Sequence, residues 1–329
     1  MDIALVQEFL PDNPMDAFQQ GLEAIEEAAN AGADLVVFPE LSFTEFYPQM
    51  PGDDRAGDIL DLADPVPGTL TESVASAAKE HGVVVVFNLY ERDGDEGFNT
   101  SPVIDADGTL LGATRMMHVP QYEHFYEQDY YTPGNTGAPV YDTAVGRLGV
   151  ATCYDRHYPE YLRALALQEA EIVVVPQAGV SGEWPKGVFE SELQTASFQN
   201  GFFMALANRV GREDEMLFDG ASFVTGPKGQ VIAQAPSGEA IILLASINTE
   251  RCETSPARTL FLKDRRPDQY ERGAVALSAS VPVAQNALDD AGLEDAEEME
   301  FDEPEEEASA APQGEAEPSK EAEPSKEDG

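Results

Sequence analysis

The sequence predicts an α/β fold in a single domain, with a mixed sheet or two sheets and helices on the outside. Short apolar segments typical of buried strands alternate with amphipathic segments typical of helices. Hairpin signals interrupt this alternation, so both parallel and antiparallel pairing are expected. The chain has 329 residues, 42% of them apolar, which is enough for one large core.

The first part of the chain predicts strands and helices in turn. DIALVQ predicts a buried strand, and an amphipathic helix follows with Asn13 as its cap and Pro14 at its first position. DLVVFPE predicts a second strand, TESVASAAKEHG a second helix and VVVVFNLYE a third strand. Residues 98–119 predict a hairpin that turns at Asp107 and Gly108.

The second part continues the pattern. RLGVATC predicts another buried strand, and a helix is expected to begin at Pro159. EIVVVPQAG predicts a strand, FESELQTASFQNG a helix and FFMALANRVG a further strand. ASFVTGPKGQVIAQ predicts a final pair of strands that turns at residues 227–229.

The last residues differ in composition from the rest. From about Asn286 the apolar period is lost, and EAEPSK occurs twice in succession. Such a segment buries too little apolar surface to fold alone. We therefore predict a domain at residues 1–285 and a disordered acidic tail at residues 286–329.

The charge of the chain is strongly negative. The sequence has 62 acidic residues against 19 lysines and arginines, a net charge of −43. Residues 289–329 hold 18 acidic residues and two lysines, which leaves −27 for residues 1–288. This charge argues against nucleic-acid and membrane partners. It also favours an adaptation to high salt, where screening weakens self-repulsion, over an ordinary acidic protein with a disordered tail.

The sequence also bears on localisation. The opening MDIALVQEFL has no basic leader, and no apolar run is long enough to span a bilayer. The two cysteines, Cys153 and Cys252, lie far apart and form no disulfide framework. We therefore expect a cytoplasmic protein.

Cys153 is the first candidate for chemistry. It ends a predicted buried strand, shortly before the helix expected at Pro159. A strand-to-helix elbow would place its sulfur near backbone amides, which favour the thiolate and can bind an oxyanion. A small core residue is the alternative, and it is the preferred interpretation for Cys252.

Two glutamates could accompany Cys153. Glu40 ends the strand DLVVFPE, where a carboxylate is costly to bury unless it is solvated or has a task. Glu127 lies in the aromatic stretch FYEQDYYTPG and either orders that loop or faces a ligand. Partial burial would raise the pKa of either carboxyl toward values that suit a general base.

Five motifs together resemble the nitrilase, or carbon–nitrogen hydrolase, superfamily. They are LVVFPEL, GRLGVATCYDRHYPE, YYTPGNTG, LANRVG and FLKDRRPDQY, in the order and approximate spacing of that family. The resemblance runs from about Asp2 to Tyr270. CYDRHYPE and YYTPGNTG look most like the β-ureidopropionase and N-carbamoyl-amine amidohydrolase branches.

The resemblance implies an α-β-β-α sandwich of two mixed sheets, paired into a homodimer or a larger homo-oligomer. It implies a Glu–Lys–Cys triad without a cofactor, in which Cys153 is the nucleophile and Glu40 the base. Glu127 matches a second glutamate that positions substrate or water. The implied partner is a small amide or ureido compound.

The lysine of that triad is missing. TRMMHVP places Met116 at its position, and His118 and Pro120 keep the register. Methionine has no N–H or O–H donor for an oxyanion. A cation from elsewhere could replace the lysine, either Lys186 or Arg115, although Arg115 should point to the opposite face of its strand. Alternatively, backbone amides at the elbow suffice, or the chain is catalytically silent.

Further residues could bind substrate. Candidates are Arg156 and His157, which follow the nucleophile and could instead pair with acids, and Tyr122, His124, Tyr126, Tyr154 and Lys186. The four histidines have no metal-ligand spacing, and no glycine-rich phosphate loop occurs, so we expect no metal.

These observations predict a hydrolase of non-peptide C–N bonds that acts on a small amide or N-carbamoyl amine through a cysteine thioester. A catalytically silent binding or scaffold protein is the alternative. Transfer of the acyl group to an amine is a third possibility.

Overall fold

The secondary structure follows the predicted alternation in residues 1–270, the residues that this computed structural model describes. Met1–Arg265 form one compact unit, and a second begins at Arg266. The predicted acidic tail, residues 286–329, and the end of the predicted domain lie outside the described residues.

The described helices and strands have the following bounds. The helices are α1 (Pro14–Asn30), α2 (Thr69–His81), α3 (Pro159–Leu167), α4 (Val188–Asn200) and α5 (Glu250–Glu253). The strands are β1 (Asp2–Gln7), β2 (Leu35–Val37), β3 (Val84–Val86), β4 (Leu89–Asp93), β5 (Glu96–Ile104), β6 (Leu110–Arg115), β7 (Val140–Thr143), β8 (Gly146–Val150), β9 (Ile172–Gln177), β10 (Phe203–Asn208), β11 (Val210–Glu213), β12 (Met216–Asp219), β13 (Phe223–Thr225), β14 (Val231–Gln234) and β15 (Ile241–Ser246).

The strands form two mixed sheets. The first has the order β15-β1-β2-β3-β5-β4, with β6 also paired to β5, and the second has the order β14-β13-β10-β9-β8-β7. Strands β1, β2 and β3 are parallel, as are β8, β9 and β10, whereas the outer pairs are antiparallel. A separate ribbon joins β11 and β12.

Alternation along the strands builds a sandwich with four layers. Ile3 and Leu5 of β1 pack with residues of the second sheet such as Val150, so the two sheets share an apolar core. Ala4 and Val6, which point the other way, pack against α1 and α2. The opposite face of the second sheet packs against α3 and α4. The predicted fold of two mixed sheets with outer helices is confirmed.

Several local signals act as predicted. The Asn13 side chain accepts a hydrogen bond from the Met15 N–H, and α1 begins at Pro14. The predicted hairpin joins β5 and β6, with Gly108 at a φ of +85° that favours glycine in the turn. Helix α3 begins at Pro159.

The predictions of single strands at residues 83–91 and 202–211 are wrong, because each segment forms two strands. In the first, Asn88 separates β3 from β4. Its side chain bonds to Leu41, Asn99 and Ser101 in a network at the end of the sheet. Strands β7, β12 and β15 also lie outside the predicted elements.

None of the helices in residues 1–270 is sufficiently long and apolar to cross a membrane.

Candidate active site

Cys153 lies at an elbow between the second sheet and α3. Two residues separate it from the end of β8, and its backbone has a φ of +45°, a conformation that is strained for a residue other than glycine. A short 3₁₀ turn, Cys153–His157, follows and leads into α3. The residue is 4% exposed. The elbow predicted at this cysteine is therefore present.

Glu40 lies just after β2 and is fully buried. Its Oε1 accepts a hydrogen bond from Asn99 Nδ2 at 2.6 Å, and Asn99 accepts one from Asn88 in turn. The Cys153 thiol interacts with the same carboxylate, and Oε2 has no other hydrogen-bond partner among the described residues. The guanidinium of Arg209 donates to the carbonyl oxygens of Glu40 and Leu41 at 2.8 and 2.7 Å. Hydrogen bonds thus hold both the side chain of Glu40 and the backbone of its loop.

Glu127 begins a 3₁₀ turn, Glu127–Asp129, and is also fully buried. Neither of its carboxylate oxygens has a hydrogen-bond partner among the described residues. One oxygen of Glu127, one of Glu40 and the Cys153 sulfur lie within 4.8 Å of one another. The structure therefore brings together the three residues singled out in the sequence.

Burial shifts the pKa of all three groups upward. Desolvation raises the pKa of Glu40 to about 7, although the Cys153 and Asn99 side chains and the charges of Arg209 and Arg156 oppose the shift. Desolvation and the neighbouring Glu40 carboxylate raise the pKa of Glu127 well above its usual value. Desolvation and both carboxylates likewise raise the pKa of the Cys153 thiol. A carboxyl with a pKa near 7 suits a general base at neutral pH.

Gln177 is a site residue that the sequence reasoning missed. It ends β9, is 1% exposed, and directs its Nε2 toward the Cys153 sulfur at 3.4 Å. Arg156, which is also buried, donates to the Gln177 side chain at 2.8 Å and to the Cys153 carbonyl at 2.9 Å. A buried strand that ends in an amide side chain was the available signal.

Met116 forms part of the wall of this site. It directly follows β6, and its N–H donates to the Asn99 carbonyl at 2.8 Å. Its side chain is 1% exposed and packs in the same apolar cluster as Cys153 and Tyr90. The Met116 side chain therefore shares a buried cluster with Cys153, and it offers no hydrogen-bond donor.

Neither of the two cations that the sequence offers as a substitute for the lysine lies with Glu40, Glu127 and Cys153. Arg115 points to the other face, as strand alternation predicts, and its guanidinium binds Glu91 and Asp93 at 2.7 and 2.8 Å. Lys186 is exposed and lines a different cavity, together with Trp184 and other residues. Glu40, Glu127 and Cys153 are absent from the lining of that cavity.

Asp155 joins the Met116 loop to the nucleophile elbow. Its buried carboxylate accepts hydrogen bonds from the Met117 and His118 N–H groups, and one oxygen lies 2.7 Å from His118 Nδ1. The His118 ring also stacks on Tyr158 at 3.5 Å between centroids. These contacts fix the Met116 backbone relative to Cys153.

The remaining candidates differ in position. Tyr122 donates to Glu183 at 2.8 Å, and its ring lies 6.4 Å from that of Tyr154. Burial and the Glu183 carboxylate raise the pKa of its hydroxyl. Tyr126 is half-buried. His124 is exposed in a turn at a φ of +63°, and His157 binds Glu192 at 2.6 Å. Cys252 packs in the core between the sheets.

One group among the described residues could hold a metal, and it consists of Glu40, Glu127 and Cys153. The sequence predicts neither metal nor cofactor, and this stays a prediction. The arrangement has what covalent catalysis needs: a nucleophile at an elbow, an adjacent base, and a second acid.

Comparison with known proteins agrees with this chemistry. The family model described as carbon-nitrogen hydrolase matches residues 3–257. N-carbamoylputrescine amidase of Solanum lycopersicum is 31% identical over 273 residues, which cover 79% of this chain and 89% of that protein. Citrullinase of Francisella tularensis is 29% identical over 279 residues, covering 82% and 96%. The crystal structure of a carbon-nitrogen hydrolase from Helicobacter pylori superposes with a TM-score of 0.77 at 29% identity, covering 83% and 98%. On the strength of its sequence, its fold and the geometry around Cys153, the chain belongs to the carbon-nitrogen hydrolase family.

Proposed function

We propose that this chain hydrolyses a small amide or N-carbamoyl amine through a thioester at Cys153, with Glu40 as the base. The observation that carries the proposal is the convergence of Glu40, Glu127 and Cys153 within 4.8 Å in a buried site. The relatives support the reaction class, since their names include an N-carbamoylputrescine amidase and a citrullinase.

The residues divide the work as follows. The Cys153 sulfur attacks the carbonyl carbon while its proton passes to Glu40. The C–N bond then breaks, and the same proton leaves with ammonia. Glu40 next deprotonates a water molecule, which hydrolyses the thioester. Glu127 positions substrate or water, and Gln177 Nε2 donates toward the sulfur.

An ammonia-release assay tests this proposal. The protein is incubated in high salt with a panel of small amides and N-carbamoyl amines. We expect turnover that Cys153→Ala abolishes and that the matched variant Cys252→Ala retains, because Cys252 lies in the core between the sheets. Absence of turnover with every compound, together with a Cys153 that is alkylated no faster than Cys252, would contradict the proposal and favour the silent binder. Acyl transfer would instead give a product that follows the concentration of added amine.

The pH profile of hydrolysis gives a second test. Glu40 accepts the thiol proton only when ionised, and burial raises its pKa to about 7. We therefore expect kcat/KM for a neutral amide to rise with pH, by about tenfold per unit below pH 7, and to level off above it. Initial rates between pH 5.5 and 8.5 measure this limb. A rise centred near pH 4.5, where an exposed glutamate titrates, would contradict the assignment.

We further propose that the chain forms a homodimer or larger homo-oligomer through the helices near the nucleophile, as the sequence resemblance implies. Helices α3 and α4 carry exposed apolar residues, Leu167, Val188 and Phe198, which support such an interface.

A further inference from the structure

The buried site has acceptors without matching donors. Both oxygens of Glu127 lack a hydrogen-bond partner among the described residues, and Glu40 Oε2 has none beyond its interaction with the Cys153 thiol. Both carboxylates are fully buried. The apolar side chain of Met116 packs in the same buried cluster as Cys153. Buried acceptors of this kind are costly unless a ligand with N–H donors satisfies them.

The nearest cations are already engaged by the protein. The charges of Arg209 and Arg156 act on Glu40. Arg209 binds three backbone carbonyls and Glu213. Arg156 binds the Cys153 carbonyl and Gln177, and its Nε lies 3.1 Å from Glu192, whereas its Nη2 has no hydrogen-bond partner among the described residues. Both guanidinium groups are thus largely occupied by acceptors of the protein itself, and none of their hydrogen bonds is directed at Glu127, whose oxygens stay unpaired. A cationic substrate would bring N–H donors and a positive charge to that carboxylate.

The charge of the electrophile decides whether Met116 is a defect. Thiolate attack on a neutral amide produces an oxyanion, and loss of one donor to such an oxyanion costs about a hundred- to thousandfold in rate. Thiolate attack on an amidinium or guanidinium produces a neutral tetrahedral adduct, because the carbon group begins with a positive charge. That adduct needs no oxyanion donor, and an apolar wall does not oppose it.

We propose that the preferred electrophile of this site is the carbon of a small amidinium or guanidinium group, whose N–H edges bind Glu40 and Glu127. This inference rests on the proposed thiol-dependent hydrolysis at Cys153. It explains the unpaired carboxylate oxygens and the methionine together, since one cationic ligand supplies both the charge and the donors that the protein omits.

The reaction balances with water as the only co-reactant. The thiol proton passes to Glu40, the C–S bond forms, and the C=N electron pair moves to nitrogen. Collapse of the adduct breaks a C–N bond, releases ammonia with the proton from Glu40, and leaves a cationic thioimidate. Water then adds with Glu40 as base, and the C–S bond breaks. An amidinium gives an amide and ammonium, and a guanidinium gives a ureido compound and ammonium.

A neutral amide would need another donor at the same place. Burial and the Glu40 carboxylate raise the pKa of Glu127, so a protonated Glu127 could donate to an oxyanion. A protonated Glu127 would thus favour a neutral amide, whereas an ionised Glu127 would favour an amidinium or guanidinium. The two routes therefore predict opposite preferences in a direct comparison.

Paired substrates test the inference. Ammonia release is measured for acetamidine against acetamide and for methylguanidine against methylurea, at equal salt and pH. We expect kcat/KM to favour the cationic member of each pair by at least tenfold. Equal rates, or a preference for the neutral members, would overturn the inference and leave the proposed function standing. Loss of activity toward all four, with a Cys153 alkylated no faster than Cys252, would overturn both.

Alkylation gives a readout that does not require turnover. Labelling of Cys153 by 2-chloroacetamidine and by 2-chloroacetamide is followed by mass spectrometry, and each rate is divided by that of a free thiol. We expect the cationic reagent to gain at least tenfold over the neutral one. A ratio near one in the native protein would contradict the inference even if no variant could be prepared.

Two charge variants sharpen the comparison. Met116→Lys adds a positive charge near Cys153, which would repel the cationic reagent. It should shift the alkylation ratio toward the neutral reagent by at least tenfold. Met117→Lys makes the same change at a neighbouring side chain that packs in the apolar cluster of α3 and α4, and it should leave the ratio unchanged. Equal shifts in both variants would indicate a general charge effect and overturn the inference. Circular dichroism checks that each variant is folded.

Discussion

Glu40→Gln is expected to stabilise the protein above pH 7 while it removes most of the activity. The native pKa of Glu40 is about 7, against 4.5 for an ordinary glutamate, because the carboxyl is fully buried. Between these values the native state binds more protons than the unfolded state, so stability falls as pH rises through this window and then levels off. At about 1.4 kcal/mol per pKa unit, the ionised carboxylate costs the native state about 3 kcal/mol.

The neutral amide that Glu40→Gln introduces would avoid this cost and could still accept the hydrogen bond from Asn99. We expect a gain of about 3 kcal/mol in the free energy of unfolding at pH 8 and little gain near pH 5. Loss of the base should reduce kcat/KM by roughly a hundred- to ten-thousandfold. Urea denaturation at both pH values, beside the activity assay, measures the two effects. The exposed Glu26→Gln serves as the control and should change neither quantity. Equal stability of Glu40→Gln and the native protein at pH 8 would contradict the expectation.

Arg209→Met is expected to be among the most destabilising changes near the site. The Arg209 guanidinium is buried and donates to the carbonyls of Glu40, Leu41 and Thr44 as well as to the Glu213 carboxylate. Methionine would leave the carbonyls of Glu40 and Thr44 without a donor and that of Leu41 with only the Thr44 N–H. It would also leave Glu213 without its ion-pair partner. Removal of one partner from a buried ion pair costs about 3–5 kcal/mol.

The same change should reduce activity, because the positive charge of Arg209 lowers the pKa of Glu40 and its hydrogen bonds hold the Glu40 loop. Arg55→Met is the matched control. Arg55 pairs with the exposed Glu45 at 2.9 Å, and such pairs contribute at most about 1 kcal/mol. Urea denaturation of both variants compares the two losses directly. A similar loss in both would show that the buried contacts of Arg209 add nothing to stability.

Local patterns predicted most of the regular structure. The Asn13-Pro14 start of α1, the turn at Gly108 and the start of α3 at Pro159 depend on residues that are neighbours in sequence, and all three are confirmed. The split of residues 83–91 into two strands depends on Asn88, whose partners lie up to 47 residues away. The pattern of apolar residues along the sequence cannot reveal a hydrogen-bond partner that is so distant.

Glu40 and Cys153 could be selected as site candidates from sequence because each closely follows a buried strand. The parallel strands of the two sheets bring such ends together. Glu127 could be selected only from the aromatic motif in which it lies. Gln177 was missed because an amide at the end of an apolar strand looks like an ordinary cap until Cys153 is placed 3.4 Å from it.

The sequence by itself determined the alternation of strands and helices, the elbow at Cys153 and the acidic charge, because each is a property of composition or of near neighbours. Only the tertiary structure decided that Lys186 lies apart from Glu40, Glu127 and Cys153 and that Arg156 and Arg209 hold loops. It also decided that both buried carboxylate oxygens of Glu127 remain unpaired and that Met116 packs in the cluster of Cys153. Hydrogen bonding and desolvation depend on which residues distant in sequence come into contact, and the packing of the two sheets determines those contacts.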